Sequence, residues 1–324
     1  MNVLITGGAG FIGSHLVDTC IARGDDVTVL DDLSSGRREN LVRARGLPNF
    51  RFVEGSVTDT SLVAEAVGRC DQIYHVAAAV GMRMIIDHTL HTFEVNVRGT
   101  EVVFAEAAAQ GRRVLFTSTS EVYGLNEHKP SCESDNAVLG DTAGSRWAYA
   151  YSKAMGEVLA GAYRRERGLA IVVARLFNTV GPRQTGRYGM VVPTFVRQAL
   201  GNRPITVHGD GTQTRCFSDV GEVTKALTAL MNDAAATGKT RNVGGDHEIR
   251  ILDLARRVKL LAGSRSDITF VSHRSVYGNG FDEIARRVPD LALLRATIGF
   301  APERGLDEIL TSVIAEQRGM ADVA

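Results

Sequence analysis

Tyr149 and Lys153 stand four residues apart in YAYSK, so a helix there puts both on one face. An ammonium beside a phenol favours the phenolate and lowers its pKa. A phenolate so placed can take the proton of a hydroxyl whose carbon gives up hydride, which is general-base chemistry. Thr119, in STSEVYG (118–124), offers a hydroxyl to hold the same substrate oxygen. Glu121 follows two residues later, where the apolar run into LFTSTS ends in hydroxyls. A carboxylate in such a place is costly unless it is satisfied or used. Glu121 therefore either fixes the turn into VYG or takes part in the chemistry.

A second constellation suits a pyrophosphate. The apolar stretch NVLIT (2–6) runs into TGGAGFIG, with Gly7, Gly10 and Gly13 in the pattern G-x-x-G-x-x-G. Such a turn lets the backbone approach the phosphates, which rest on the N-terminus of the helix that follows. Asp31 ends the next apolar stretch, DVTVLD, 24 positions past Gly7. That is near the spacing of about 20 for an acid that binds a ribose. A carboxylate there accepts from both ribose hydroxyls and repels a 2′-phosphate, which favours NAD over NADP. Asp32 strengthens the bias, and no arginine follows before Arg37. Ser34 and Gly36 belong to the same turn.

These residues need strands and helices to position them. NVLIT (2–6), DVTVLD (26–31), FRFVEG (50–55), QIYHVAA (72–78), RVLFTS (113–118) and LAIVVARLF (169–177) read as short buried strands. Helical stretches lie between them, among them Phe11 to Arg23, Thr100 to Gln110 and roughly 150–167. This alternation predicts an α/β fold with a doubly wound parallel sheet. After about residue 178 the pattern loosens into GPRQTGRYG and mixed elements. We divide the chain into a nucleotide-binding part, 1–177, and a smaller mixed α/β substrate part, 178–324. A segment at about 215–245 is expected to cross back to the first part.

Composition excludes several classes. The 324 residues carry 37 basic and 37 acidic side chains, so no broad electrostatic footprint for nucleic acid or an anionic membrane is expected. No apolar run is long enough to span a bilayer. Cys20, Cys70, Cys132 and Cys216 are scattered without a CxxC pair, as in reduced cytosolic proteins. Strand-like residues from Asn2 leave no room for a signal peptide in this reading. The eight histidines show no metal-ligand spacing, and no metal is expected. GKT (238–240) fails as a phosphate loop, because Asp233 stands where a glycine is required.

TGGAGFIG, STSEVYG, YAYSK and RLFNTVGPR, in this order and spacing, resemble the extended short-chain dehydrogenase/reductases that act on nucleotide sugars. The resemblance covers nearly the whole chain. It implies a Rossmann-type domain holding NAD and a smaller C-terminal domain for the nucleoside diphosphate. It implies Tyr149 as base, Lys153 on the nicotinamide ribose and Thr119 on the sugar oxygen. Phe11 and Ile12 would lie in the pyrophosphate turn, and Ser56 and Val57 at the adenine. Ser56 stands where relatives usually have aspartate. Ala77, Ala78 and Ala79 would line the cofactor, with Phe177 also beside it and Asn96 supporting the site. Asn178 and Arg183 would face the diphosphate-sugar, and Val191, Thr206, Val207 and His208 would flank the base. Arg215 would bind the diphosphate, and Arg287 the phosphates and sugar. The resemblance also implies a homodimer paired through the helices around 95–110 and 149–165.

All such enzymes begin by taking hydride from C4 of the sugar. A dTDP-glucose 4,6-dehydratase then needs an acid where this chain has Ser120, a poor proton donor. A UDP-hexose 4-epimerase needs only room to turn the keto sugar over. A UDP-glucuronate decarboxylase oxidises C4 to make a β-keto acid, which loses carbon dioxide readily. STSEVYG, GDGTQTR (209–215) and RVPD (287–290) are most similar to the decarboxylases (UDP-xylose synthases). In that reading Glu121 shapes the site around the sugar carboxylate or its water, and Arg287 binds the carboxylate or positions a water. AAAVGMRMI (77–85) departs from those relatives, which carry a proline-containing, tyrosine-ended segment there, so epimerisation stays open. Glu121→Gln and Glu121→Ala are expected to spare the fold and slow turnover.

Overall fold

The computed structural model describes residues 1–126, 128, 130–142, 145–186, 189–277 and 282–321. Strands β1 (Asn2–Thr6), β2 (Asp26–Asp31), β3 (Phe50–Glu54), β4 (Gln72–His75), β5 (Arg113–Thr119) and β6 (Ile171–Leu176) pair in the order β3-β2-β1-β4-β5-β6. A seventh strand, Thr240–Val243, pairs with β6, and every pair in this sheet is parallel.

The apolar runs are continuous because both faces of the sheet are covered. Val3 and Ile5 of β1 join a core with Leu16 and Val17 from helix Phe11–Ala22 and with Val223 and Leu227 from helix Val220–Asn232. Leu4, pointing the other way, joins a second core with Val63, Phe104 and Ala160. Those three come from helices Thr60–Gly68, Thr100–Ala109 and Ala148–Arg167.

The strand expected at 72–78 stops at His75. Beyond it the backbone is taken by side chains. The Ala77 N–H donates to Thr6 Oγ1 at 3.3 Å, and Asn96 grips both the N–H and the carbonyl of Ala79 at 2.8 and 3.1 Å. Asn96, fully buried in a π-helical turn (Glu94–Gly99), also donates to Ser152 Oγ at 3.1 Å.

The later residues build a third core from helices Val191–Leu200, Ile251–Leu261 and Leu306–Ala321. Strand Ile205–His208 pairs with Ile268–Val271. A small sheet joins Glu248–Arg250, Thr214–Cys216 and Arg286–Arg287, and its register sets Arg287 opposite Arg215. Helix Val220–Asn232 and strand Thr240–Val243 return to the main sheet.

Fully buried Asn242, in that returning strand, is a joint between segments far apart in the chain. Its Oδ1 accepts from the Tyr123 hydroxyl at 2.7 Å, and its Nδ2 donates to the carbonyls of Ser131 and Asp290 at 2.8 and 3.1 Å. Breaking hydrogen bonds of buried groups without water to replace them costs about 1–3 kcal/mol per orphaned group. Asn242→Ala is therefore expected to lower unfolding stability by about 3 kcal/mol in a urea titration. A loss below about 0.5 kcal/mol, the usual range of a neutral surface change, would contradict this role.

Candidate active site

A cleft of about 480 Å³ opens where the carboxyl ends of the sheet strands meet the later elements. Gly7, Gly10, Phe11, Ile12 and Gly13 line one end of it. Gly7 has φ +71°, and a Cβ there would stand 2.7 Å from the Ala77 backbone. A Cβ on Gly13 would stand 2.1 Å from the Gly7 carbonyl oxygen. Only glycine lets this turn close and brings the first amides of helix Phe11–Ala22 onto the cleft, where they can receive a pyrophosphate. Asp31 lines the same end. Its two oxygens accept the N–H groups of Ala9 and Leu33 at 2.9 and 2.8 Å. Burial pushes its carboxyl above the usual range, while those amides pull it down. An oriented carboxylate and a bare glycine turn in one cleft fit NAD.

The other expected cofactor residues divide. Ala77 and Ala78 line the cleft, whereas Ala79 stands behind it on Asn96. Exposed Asp32 accepts from the Ser34 amide and hydroxyl at 2.9 and 2.6 Å, closing its own loop away from the cleft. Gly36 lies under Asp31, where a Cβ would come within 2.8 Å of Asp31 Oδ1. Ser56 bonds Thr58 at 2.9 Å, and Val57 is buried in the second core; neither lines the cleft. Phe177 packs against Tyr123 behind Leu176, and it is Leu176 that faces the cleft.

At the middle of the cleft the residues expected to be catalytic meet. Helix Ala148–Arg167 carries Tyr149 and Lys153, both buried and both lining the cleft with Thr119, Ser120 and Glu121. Thr119 ends β5, and its Oγ1 accepts the Glu121 N–H at 3.2 Å as the cap of the short turn Ser120–Tyr123. Lys153 Nζ donates to the Thr117 carbonyl at 2.8 Å and lies 4.8 Å from the centre of the Phe116 ring. Burial brings its pKa down to about 7, against the pull of Glu157.

Burial, and then the charge of Glu121, push the Tyr149 phenol above its usual value; the Thr119 hydroxyl and Arg287 pull it down. The spacing of YAYSK predicts Lys153 as the cation acting on this phenol. In the structure Lys153 Nζ bonds the Thr117 carbonyl, and Arg287 is a cation that pulls the Tyr149 phenol down.

Glu121 is held by two arginines. Its Oε2 accepts from Arg146 Nη1 at 2.9 Å, and its Oε1 faces Arg287 Nη1 at 3.5 Å. Burial raises its pKa, but Arg146, Arg287 and Arg215 together hold the carboxyl below the usual range. Arg215 itself is brought down to about 10, first by burial and then by the neighbouring Arg287. It pairs with Glu283, whose other oxygen stands 3.7 Å from His273 Nδ1.

Toward the outer end, Asn178, Val191, Thr206 and His208 line the cleft with Arg215 and Arg287. Val207 alternates away into the third core. Arg183 is elsewhere. Its guanidinium binds Asp18 of helix Phe11–Ala22 at 2.6 Å, and its N–H donates to Glu316 at 2.6 Å. It ties the two parts of the chain together rather than facing a diphosphate in this cleft. Sequence reasoning missed Arg146, Glu283, His273 and Tyr277, all in the cleft wall. For Arg146 a signal existed: it precedes Tyr149 by three residues in SRWAYAYSK. Away from the cleft, His128, Cys132 and Asp135 bring their ligand atoms within 4.8 Å of one another, a grouping across a loop that the histidine spacing did not suggest. His128 Nδ1 is 3.1 Å from the Asp135 carboxylate, and burial first, then nearby acids, lift the Cys132 thiol to about 11.

The model of the NAD dependent epimerase/dehydratase family matches residues 3–244, three quarters of the chain. The chain belongs to this family. Its members' cofactor, NAD, agrees with the glycine turn and Asp31. A UDP-N-acetyl-alpha-D-glucosaminuronate decarboxylase from Bacillus cytotoxicus is 36% identical over 95% of this chain and 96% of its own length. UDP-glucuronic acid decarboxylase 1 from Xenopus tropicalis is 36% identical over 97% of this chain and 71% of its own. Among solved structures, a dTDP-glucose 4,6-dehydratase from Streptomyces venezuelae with NAD bound superposes with a TM-score of 0.90, at 29% identity over 100% of this chain and 98% of that one. A UDP-glucose 4-epimerase from Thermotoga maritima gives 0.89, at 28% identity over 99% of this chain and 100% of that one. The relatives and neighbours thus share the fold and differ in the reaction that their names give, whether decarboxylation, dehydration or epimerisation.

Proposed function

We propose that this member of the family is an NAD-dependent decarboxylase of a UDP-glucuronate-type substrate, releasing carbon dioxide and leaving a UDP-4-keto-pentose or UDP-xylose. The supporting observation is the Arg146–Glu121–Arg287 cluster beside Tyr149 in one cleft. Around Glu121 and Glu283 the cleft gathers three guanidinium groups, Arg146, Arg215 and Arg287, and this local excess of positive charge suits a substrate bearing a diphosphate and a carboxylate. The full-length similarity to decarboxylases points the same way. Ser120 in the cleft offers no acid for expelling a hydroxide.

In this reading residues 1–177 hold the cofactor and 178–324 the sugar nucleotide. The glycine turn and Asp31 would hold NAD, which would supply an acceptor for the C4 hydride and, where UDP-xylose is the product, the hydride that returns to C4. Tyr149 takes the proton of the C4 hydroxyl while Thr119 holds its oxygen. The resulting ketone lies β to the C6 carboxylate, so the electron pair of the breaking C5–C6 bond passes into an enolate. Arg287 holds the departing carboxylate and positions the water that returns a proton to C5. A guanidinium is not deprotonated in proteins, so an arginine serves this step by charge and hydrogen bonds rather than as the acid. Glu121 orients Arg287 and that water.

The test is incubation with NAD and UDP-glucuronate followed by mass analysis. A product lighter by one carbon dioxide is expected; an unchanged mass with C4 inverted would establish the epimerase instead. UDP-N-acetylglucosaminuronate belongs in the same experiment. Val80, Gly81, Met82 and Ile85 form an apolar wall of the cleft, which favours a substrate carrying an acetamido methyl as a second reading.

Met155 and Val158 lie exposed on helix Ala148–Arg167, which supports pairing of two copies through this helix and its neighbour Thr100–Ala109. No helix among the described residues is long and apolar enough to cross a membrane, and the cysteines are free, as a cytoplasmic enzyme would have them.

A further inference from the structure

Two arginines hold Glu121, and they are held differently. Arg146 is 6% exposed on its side chain, donates to Glu121 Oε2 at 2.9 Å, and gives its Nε to the Asp282 carbonyl at 3.2 Å. Its guanidinium also lies over the ring of Trp147, 4.8 Å from the centroid. It is fixed from three sides. Arg287 meets Glu121 only at 3.5 Å, and its buried Nε has no hydrogen-bond partner among the described residues. A buried donor without a partner is costly, so this group has bonding capacity in reserve for a ligand.

We infer that Arg146 is a positioning residue: it holds the Glu121 carboxylate ionised and in place, and thereby leaves Arg287 free to turn its donors to the carboxylate of the substrate. Without Arg146, Glu121 would have to draw Arg287 in as its sole close partner, and the sugar would lose its receptor. The role rests on the decarboxylase reading. Arg146 touches neither sugar nor cofactor in this scheme and acts through Glu121.

The charged and titratable groups facing Glu121 come from each element around it. They are Tyr149 from helix Ala148–Arg167, Arg146 from the turn before that helix, Arg215 from Thr214–Cys216 and Arg287 from Arg286–Arg287. Burial opposes ionisation of Glu121, and Arg146 is its strongest counter-charge. Removing that charge raises the carboxyl pKa, so activity that needs the carboxylate fails at a higher pH on the acid side.

The test compares wild type, Arg146→Gln and Arg146→Lys for carbon dioxide release from UDP-glucuronate as a function of pH, with thermal melting alongside. In Arg146→Gln the acid limb of kcat is expected to move up by about one pH unit or more, and KM for UDP-glucuronate to rise at least about tenfold as Arg287 is drawn to Glu121. Arg146→Lys is expected to return the acid limb toward wild type, because it restores the charge. An acid limb that stays put in Arg146→Gln, whatever the change in melting temperature, overturns the role. So does a lysine variant that shifts as far as the glutamine one. A wild-type enzyme giving a product of unchanged mass overturns the decarboxylase reading and this role with it, and is recognised before any variant is compared.

Discussion

Tyr149→Phe is expected to abolish the first oxidation, lowering turnover by roughly 10²–10⁴-fold, the usual contribution of a positioned acid–base group. The substitution keeps the ring, which is buried at 8% exposure, and removes only the oxygen, so the fold should stand. The measurement is reduction of NAD on the enzyme after addition of UDP-glucuronate. Wild type should show the reduced cofactor transiently and the variant should not. Wild-type kinetics in the phenylalanine form would remove Tyr149 from the chemistry. The size of the effect comes from the phenol's surroundings. Burial and Glu121 favour its protonated form, and Thr119 and Arg287 favour the phenolate.

The second large effect is at Glu121, where two substitutions that look alike from sequence should part. Glu121→Ala removes the buried carboxylate to which Arg146 Nη1 donates at 2.9 Å. Breaking a buried ion pair by removing one partner costs about 3–5 kcal/mol, and because the Glu121 side chain keeps 14% exposure the lower end is expected. This revises the expectation that alanine spares the fold. Glu121→Gln retains an oxygen for Arg146 and should melt close to wild type, while turnover falls about 10²-fold as Arg287 loses its oriented counter-charge. The pH dependence of stability separates them from wild type as well. The folded carboxyl lies below its ordinary value of 4.5. Its contribution is therefore complete above that value and fades as pH falls through the lower folded one. Neither variant should show this loss. Full turnover in Glu121→Gln would return the residue to a purely structural place in the turn.

The fold was legible where covalent pattern dictates it. Continuous apolar runs marked the six leading strands because both faces of the sheet are buried, and the glycine turn was legible because no other side chain fits between Gly7 and Ala77. The features that escaped were long-range. Arg183 sits in a motif with cleft residues, yet Asp18, 165 positions away, draws it to the junction. Val207 lies between two cleft residues and alternates away from them. Lys153 shares a helix face with Tyr149, but the carbonyl of Thr117 decides where its ammonium points. Arg146 stands three residues before Tyr149 in the sequence, but its pairing with Glu121 emerges only once β5 and the turn before the long helix are brought together. Spacing along one element announces which side chains are neighbours; it does not announce which neighbour wins a hydrogen bond.

The strand Thr240–Val243 completes the main sheet at the edge of β6. During synthesis the ribosome delivers β6 more than sixty residues before its lateral partner emerges. A nascent chain ending near residue 177 thus displays an open parallel edge, with backbone amides and carbonyls ready to recruit a stranger. The last seam of the sheet closes only once the chain has been made through Val243, nearly half of the way through the residues that follow 177. Genetic dissection of the chain at its apparent boundary should for this reason yield sticky halves rather than two working pieces.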